Sequence, residues 1–140
     1  MLVSLLAILL LASGCHSFNR EWKQAAGQPV PRNDIQGRWQ GTWKSDSSGH
    51  TDKLRCLITR EDNQEYTARF HAKYHKLLSF SYTVPLEVEK TGDEFKFSGE
   101  ADLGWKAGGV YHYEGHANAT NFFANYTSKY DHGVFQMSRP

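Results

Sequence analysis

Apolar and polar residues alternate along most of this 140-residue chain, from Gly37 to its end. In the first run, Trp39, Gly41 and Trp43 share one face and polar residues occupy the other. This period of two is the pattern of half-buried antiparallel strands, because successive side chains of a strand point to opposite faces. The other seven runs of this kind cover residues 54–58, 66–74, 78–88, 95–101, 111–117, 122–126 and 135–139. In the run of residues 122–126, Phe122 and Phe123 are adjacent, and the pattern leaves open which of them faces inward.

Eight consecutive strands with mostly short polar turns indicate an up-and-down meander. Such a sheet has two unpaired edges unless it closes on itself. Glycines on the apolar face, at Gly41, Gly99 and Gly115, favour closure because a sharply coiled strand benefits from a missing side chain. Pro85 lies inside the longest run and predicts a bulge or bend there. We therefore expect an all-β fold, an eight-stranded antiparallel up-and-down β-barrel preceded by a short helix.

The apolar run of residues 2–12 is about as long as the hydrophobic region of a signal peptide and shorter than the ~20 residues that cross a membrane. It ends in Leu-Ala-Ser-Gly at residues 11–14, followed by Cys15. This ending resembles the lipobox of bacterial lipoproteins, whose cysteine is acylated and becomes the new N-terminus. The resemblance implies a lipid-anchored protein of the bacterial cell envelope, and His16 in place of an aspartate favours the outer membrane. The alternatives are an ordinary cleaved signal peptide and a buried N-terminal helix.

Three parts of the chain follow from these patterns. Residues 1–14 are the predicted lipoprotein signal peptide, residues 15–35 contain the lipidated cysteine, a tether and a short helix, and residues 36–140 form the barrel domain. Phe18 and Trp22 are four residues apart on one face of the predicted helix, so we expect it to dock over one end of the barrel. The barrel sequence contains no membrane-inserting segment, so we expect the acyl groups to supply the membrane affinity.

Gly37 and Trp39 open the first strand, and Arg139 ends the last. This combination resembles the calycin superfamily, which includes lipocalins, fatty-acid-binding proteins and avidins. In lipocalins, a Gly-x-Trp motif lies at the closed end of the barrel and a basic residue of the last strand packs across the tryptophan. The resemblance implies a cation–π contact between Arg139 and Trp39, worth about 0.5 to 2 kcal/mol. The Thr-Asp-Tyr motif and the C-terminal helix of lipocalins are absent, so the barrel is lipocalin-like and no ligand follows from the resemblance.

The composition and the polar motifs contain no catalytic signature. The net charge is +1 without long runs of either sign, which argues against a nucleic-acid partner. Cys56 lies between apolar residues as an inert packing thiol. The best metal candidate is the alternating set His112, Glu114 and His116, but its face is the solvent face. His71 and His75 also share an outward face, which we interpret as solvent-facing. From these observations together we expect no enzyme activity, no metal and no cofactor.

The inward face of the predicted barrel is rich in aromatic residues, which favours a filled interior over a roomy cavity. Several of these residues are tyrosines, whose hydroxyls need partners when they are buried. One hypothesis is a small pocket near one mouth that binds an apolar or amphipathic ligand. The alternative is a filled barrel that acts as an envelope structural or protein-interaction module. The candidate pocket residues are Trp43, Tyr66, Tyr74, Tyr82, Tyr111 and Tyr113.

Overall fold

A computed structural model describes residues 17–140 of the chain. The predicted signal peptide and the predicted acylation site, Cys15, lie outside these residues. Residues 17–26 form a helix that we call α1. A 3-10 turn covers Trp105–Ala107. The strands are β1 (Gly37–Ser45), β2 (Thr51–Arg60), β3 (Glu65–Tyr74), β4 (Leu78–Thr91), β5 (Glu94–Asp102), β6 (Val110–Ala117), β7 (Asn121–Thr127) and β8 (His132–Ser138).

The eight strands form one closed antiparallel barrel in sequence order, which confirms the predicted fold class. Each strand pairs with the next one, and β1 also pairs with β8, where Gly41 lies opposite Met137 and Trp43 lies opposite Phe135. Closure therefore removes the two edges that an open meander would expose.

The strand glycines lie where neighbouring strands approach closely. A Cβ atom at Gly115 would lie 2.1 Å from the carbonyl oxygen of Phe123 and 2.7 Å from the ring of Phe97. A Cβ atom at Gly41 would lie 1.9 Å from the carbonyl oxygen of Gln136. These distances are far below van der Waals contact, so the close approach of the strands depends on the missing side chains.

Strand β4 passes through Pro85 without the predicted bulge. Its register with β3 is continuous from Leu78 to Glu87, so that part of the prediction is wrong. Pairing between β4 and β5 instead begins at Leu86, and residues 78–85 have no partner on β5. A proline has no N–H to donate to a second neighbouring strand, which accounts for a ladder that stops beside it. The barrel wall is thus unpaired between β5 and the first half of β4, a region that we call the β4–β5 slit.

The two ends of the barrel differ. Residues 46–50, 75–77, 103–109 and 128–131 connect strands at one end, which we call the open end because inward-facing side chains are exposed there. Residues 61–64, 92–93 and 118–120 connect strands at the other end, the closed end, where Trp39 is fully buried.

Helix α1 packs on the outer wall of the barrel, and the prediction that it docks over one end is wrong. Phe18 is fully buried, and its ring stacks on that of His71 on β3 with 4.8 Å between centroids. The guanidinium groups of Arg55 and Arg69 lie 5.1 and 5.6 Å from the same phenylalanine ring. The polar outward face of β2 and β3 is therefore a docking surface, and His71 is buried rather than solvent-exposed as predicted.

Aromatic rings fill the middle of the barrel. Phe70 on β3 contacts Tyr82, Tyr113 and Phe135, with ring centroids 5.2 to 6.1 Å apart. Of the two adjacent phenylalanines in β7, Phe122 is buried inside the barrel and the next residue is only partly buried on the outside. This placement settles the inward face of β7.

Candidate functional site

The closed end is held by an arginine–tryptophan pair. The guanidinium of Arg139 lies 4.0 Å from the ring of Trp39, which is the cation–π contact implied by the calycin resemblance. Arg139 also donates hydrogen bonds to the carbonyl oxygens of Gln36, at 2.7 Å, and Asp34, at 3.1 Å. Gly37 has a φ of 102°, and an added Cβ would lie 3.1 Å from the same guanidinium. These contacts give Gly37, Trp39 and Arg139 a structural role.

Tyr66 belongs to this closed end and not to the mouth. Its hydroxyl donates a 2.8 Å hydrogen bond to the carboxylate of Asp34, which also accepts one from the backbone N–H of Ile35. Partial burial alone would raise the pKa of Asp34. The hydrogen bonds and the nearby cation of Arg60 have the larger combined effect, so the pKa lies below its usual value. Burial and the bond to Asp34 raise the pKa of Tyr66 to about 12. The structure thus separates Tyr66 from the other predicted pocket residues.

Tyr82 and Tyr113 form the floor beneath the open end. Their rings are stacked, with 6.5 Å between centroids. Burial raises the pKa of both hydroxyls well above the usual value. Both hydroxyls are therefore neutral at ordinary pH.

Three of the predicted residues lie at the open end itself. The ring of Trp43 stacks on that of Tyr74 with 6.1 Å between centroids, and its Nε1 donates to the carbonyl of Lys73 at 2.9 Å. On the other side, Tyr111 donates its hydroxyl to the carbonyl of Ala107, also at 2.9 Å. Because these polar tips are already satisfied, the rings offer mainly apolar faces to a ligand.

Two inward-facing residues at the open end were predicted only as members of an apolar strand face. Leu78 is 63% exposed and Phe80 is 38% exposed, whereas Val84, Leu86 and Val88 on the same face of β4 are buried. A sequence signal did exist, because Leu77 and Leu78 put two large apolar residues beside a turn. We call the following set the apolar mouth: Trp43, Tyr74, Leu78, Phe80, Tyr82 and Tyr111.

A histidine cluster borders the apolar mouth. The ring of His50 lies 5.1 Å from that of Trp43 and 4.7 Å from that of His75. His50 Nε2 is 3.9 Å from a carboxylate oxygen of Asp52, which accepts the backbone N–H of Lys76 at 3.0 Å. Backbone hydrogen bonds are the main cause that lowers the pKa of Asp52. Within residues 17–140, no group of three or more histidine, cysteine or acidic residues has the arrangement of a metal site.

The predicted metal candidates lie on the outer face of β6. His112 Nδ1 is 3.4 Å from a carboxylate oxygen of Glu100, whereas the ring of His116 packs against that of Phe123 at 5.6 Å. Glu114 is exposed between them on the same face. The three side chains thus engage different neighbours and do not converge.

Cys56 is a free thiol inside the barrel and is fully buried. Burial raises its pKa well above the usual value, which keeps the thiol protonated. Because the thiolate is the reactive form, Cys56 is an inert part of the core.

Comparison with known proteins finds no matching family model, no similar curated protein and no similar solved structure. Across residues 17–140, no helix has the length and apolar character needed to span a membrane. The closed antiparallel barrel of eight strands is compatible with a calycin-like fold.

Proposed function

We propose that this chain is a lipid-anchored protein of the bacterial cell envelope whose apolar mouth binds a small apolar or amphipathic ligand. The observation that carries the proposal is the exposure of Leu78 and Phe80 on the inward face of the barrel. Exposed apolar surface of this kind on an inward face is typical of binding sites.

The shape of the interior limits how such a ligand would bind. The floor formed by Tyr82 and Tyr113 closes the way toward Phe70, where rings already contact one another. A ligand would therefore lie across the mouth rather than deep in the barrel. The β4–β5 slit opens from the same region, so an extended acyl chain could leave the mouth sideways past residues 78–85.

The proposed anchor is supported by the sequence around Cys15. The lipobox-like ending of residues 11–14 supplies the small residues that a signal peptidase accepts, and the apolar run before it has a suitable length. The other cysteine, Cys56, is buried in the barrel, which leaves Cys15 as the thiol available for acylation.

The filled interior also supports a second candidate, an envelope interaction module without a ligand. Phe70, Tyr113 and Phe135 pack together in the middle of the barrel. In this case the protein would act through its outer surface and loops.

Native mass spectrometry of the full-length protein purified from membranes distinguishes these possibilities. The covalent mass reports acylation, which a Cys15→Ala variant should lose, and the non-covalent mass reports a ligand. We expect one bound ligand in the wild type and its loss in Phe80→Asp. The matched control is Val30→Asp, which changes an exposed apolar residue far from the mouth. An acylated protein without ligand would favour the interaction module, and an unmodified Cys15 would refute the anchor.

A further inference from the structure

We infer that the open end of the barrel docks on the surface of an anionic phospholipid bilayer, with the exposed apolar side chains of its loops in the membrane interface. This inference goes beyond the proposed ligand site and rests on the proposed function in one respect, the acyl anchor at Cys15. Four independent features of residues 17–140 lead to it.

The first feature is the distribution of exposed apolar residues. Eight large apolar side chains are exposed among residues 17–140, and seven of them lie at the open end of the barrel. The exception, Val30, lies in the tether. Single exposed apolar residues are common on protein surfaces, but seven at one end form a patch that marks an interaction site. The seven are Tyr74, Leu77, Leu78, Phe80, Trp105, Val110 and Tyr130.

The second feature is the type of residue at the loop tips. Leu77 in the β3–β4 turn is 91% exposed, Trp105 in the β5–β6 connection is 84% exposed, and Tyr130 in the β7–β8 turn is 71% exposed. Tryptophan and tyrosine are enriched at membrane–water interfaces, where one part of the ring is apolar and the other is wet. Three separate connections thus present exposed apolar residues at the same end of the barrel, and two of these residues are of the interfacial type.

The third feature is the charge difference between the ends. The connections at the open end contain Lys76, Lys106 and Lys129 against two aspartates, Asp46 and Asp131. The connections at the closed end contain three acidic residues and no lysine or arginine, the acids being Glu61, Asp62 and Asp93. An anionic bilayer would therefore attract the connections at the open end more than those at the closed end.

The fourth feature is the direction of helix α1. Its first turn contacts β3 nearer the open end, where Phe18 stacks on His71 and the Ser17 hydroxyl accepts a hydrogen bond from Arg69. Farther along the helix, Ala25 lines a groove with Thr67, nearer the closed end. Its N-terminus thus points toward the open end. Cys15 precedes Ser17 by two residues in the sequence.

The described N-terminus of α1 and the apolar loops therefore lie toward the same end of the barrel. On this inference, the apolar loops add to the membrane affinity that is expected from the acyl groups. It also deepens the proposed function, because a mouth that faces the bilayer could exchange an acyl chain with it without passing through water.

The test compares two exposed alanines at opposite ends of the barrel. Full-length Ala107→Cys, beside Trp105, and Ala119→Cys, in the β6–β7 turn, are each labelled with an environment-sensitive fluorophore. Cys56 is buried and should not react. The labelled proteins are titrated with vesicles of phosphatidylethanolamine and phosphatidylglycerol. We expect a blue shift and protection from iodide quenching at position 107 but not at position 119.

Two variants in the Ala107→Cys background test the contacts. Leu77→Asp should abolish the blue shift, and Lys76→Gln should weaken docking about fivefold, the effect of one basic residue near an anionic surface. Lys96→Gln, on β5 away from the open end, is the matched control and should leave docking unchanged. Equal solvent exposure of the labels at 107 and 119 at saturating vesicles would overturn the inference. Intact mass reports acylation of Cys15 separately, so failed docking and a failed anchor give different results.

Discussion

Gly115→Ala should destabilise the barrel severely, because the added methyl group has no space. It would lie 2.1 Å from the carbonyl oxygen of Phe123 and 2.8 Å from the Cα of Ala124, both on the neighbouring strand β7. On the inner side it would lie 2.7 Å from the ring of Phe97. Since two of the three contacts are with backbone, a change of rotamer cannot relieve them.

The magnitude follows from the displacement required. Moving the β7 backbone out to an ordinary contact of about 3.4 Å separates it from β6 by more than 1 Å, which weakens the neighbouring ladder hydrogen bonds. Overpacking costs about 1 to 3 kcal/mol, and two weakened hydrogen bonds cost about 1 kcal/mol each. The alanine also restricts the unfolded chain, which stabilises the folded protein by about 0.4 to 1 kcal/mol. The net loss is about 2 to 5 kcal/mol, a large part of the 5 to 15 kcal/mol that typically holds a domain together.

Urea unfolding followed by tryptophan fluorescence measures this loss. The matched control is Gly27→Ala after helix α1, where the nearest atom to the added Cβ is 3.6 Å away. We expect a large decrease in the urea midpoint for Gly115→Ala and a small change for Gly27→Ala. Equal midpoints for the two variants would refute the conclusion that close strand approach requires the glycine.

Two further predictions concern the outer wall and the closed end. Burial and the nearby cations of Arg55 and Arg69 lower the pKa of His71 to about 4. Between pH 4 and 6.5 the unfolded chain therefore binds more protons than the folded protein. The free energy of unfolding should fall as the pH drops through this window. His71→Gln should flatten that slope in urea midpoints measured at several pH values, and an unchanged slope would contradict the assignment. Arg139→Gln should lower the free energy of unfolding by about 2 to 4 kcal/mol, since it removes a cation–π contact and several charged hydrogen bonds. The thermal stability of Arg139→Lys should lie between those of the wild type and Arg139→Gln. A lysine variant as unstable as the glutamine variant would indicate that the charge over the ring contributes nothing.

The barrel was predictable because its strands follow a strict period and its glycines lie on the apolar face. The turn at residues 75–77 was harder to recognise, since it contains neither glycine nor asparagine. His75 and Lys76 nevertheless adopt positive φ angles of 51° and 61° there. Helix and strand periods describe one element at a time, so they could not show that Phe18 would bury His71.

The candidate site was predictable in part, for a related reason. Alternation placed Trp43, Tyr74 and Tyr111 on the inward face but gave no information about depth along the barrel axis. It therefore grouped them with Tyr66, which lies at the other end and is engaged by Asp34. Depth depends on strand register, which becomes defined only when all eight strands pair.

Pairing between β1 and β8 also has a consequence for how the chain folds. Gly41 lies opposite Met137, 96 positions later in the sequence, and this contact completes the barrel. Contacts of such long sequence separation slow folding, because the entropy cost of closing the loop comes before the stabilisation that the contact provides. The barrel cannot close until its last strand is available, so a growing chain can form only an open meander and acquires its final topology after synthesis is complete.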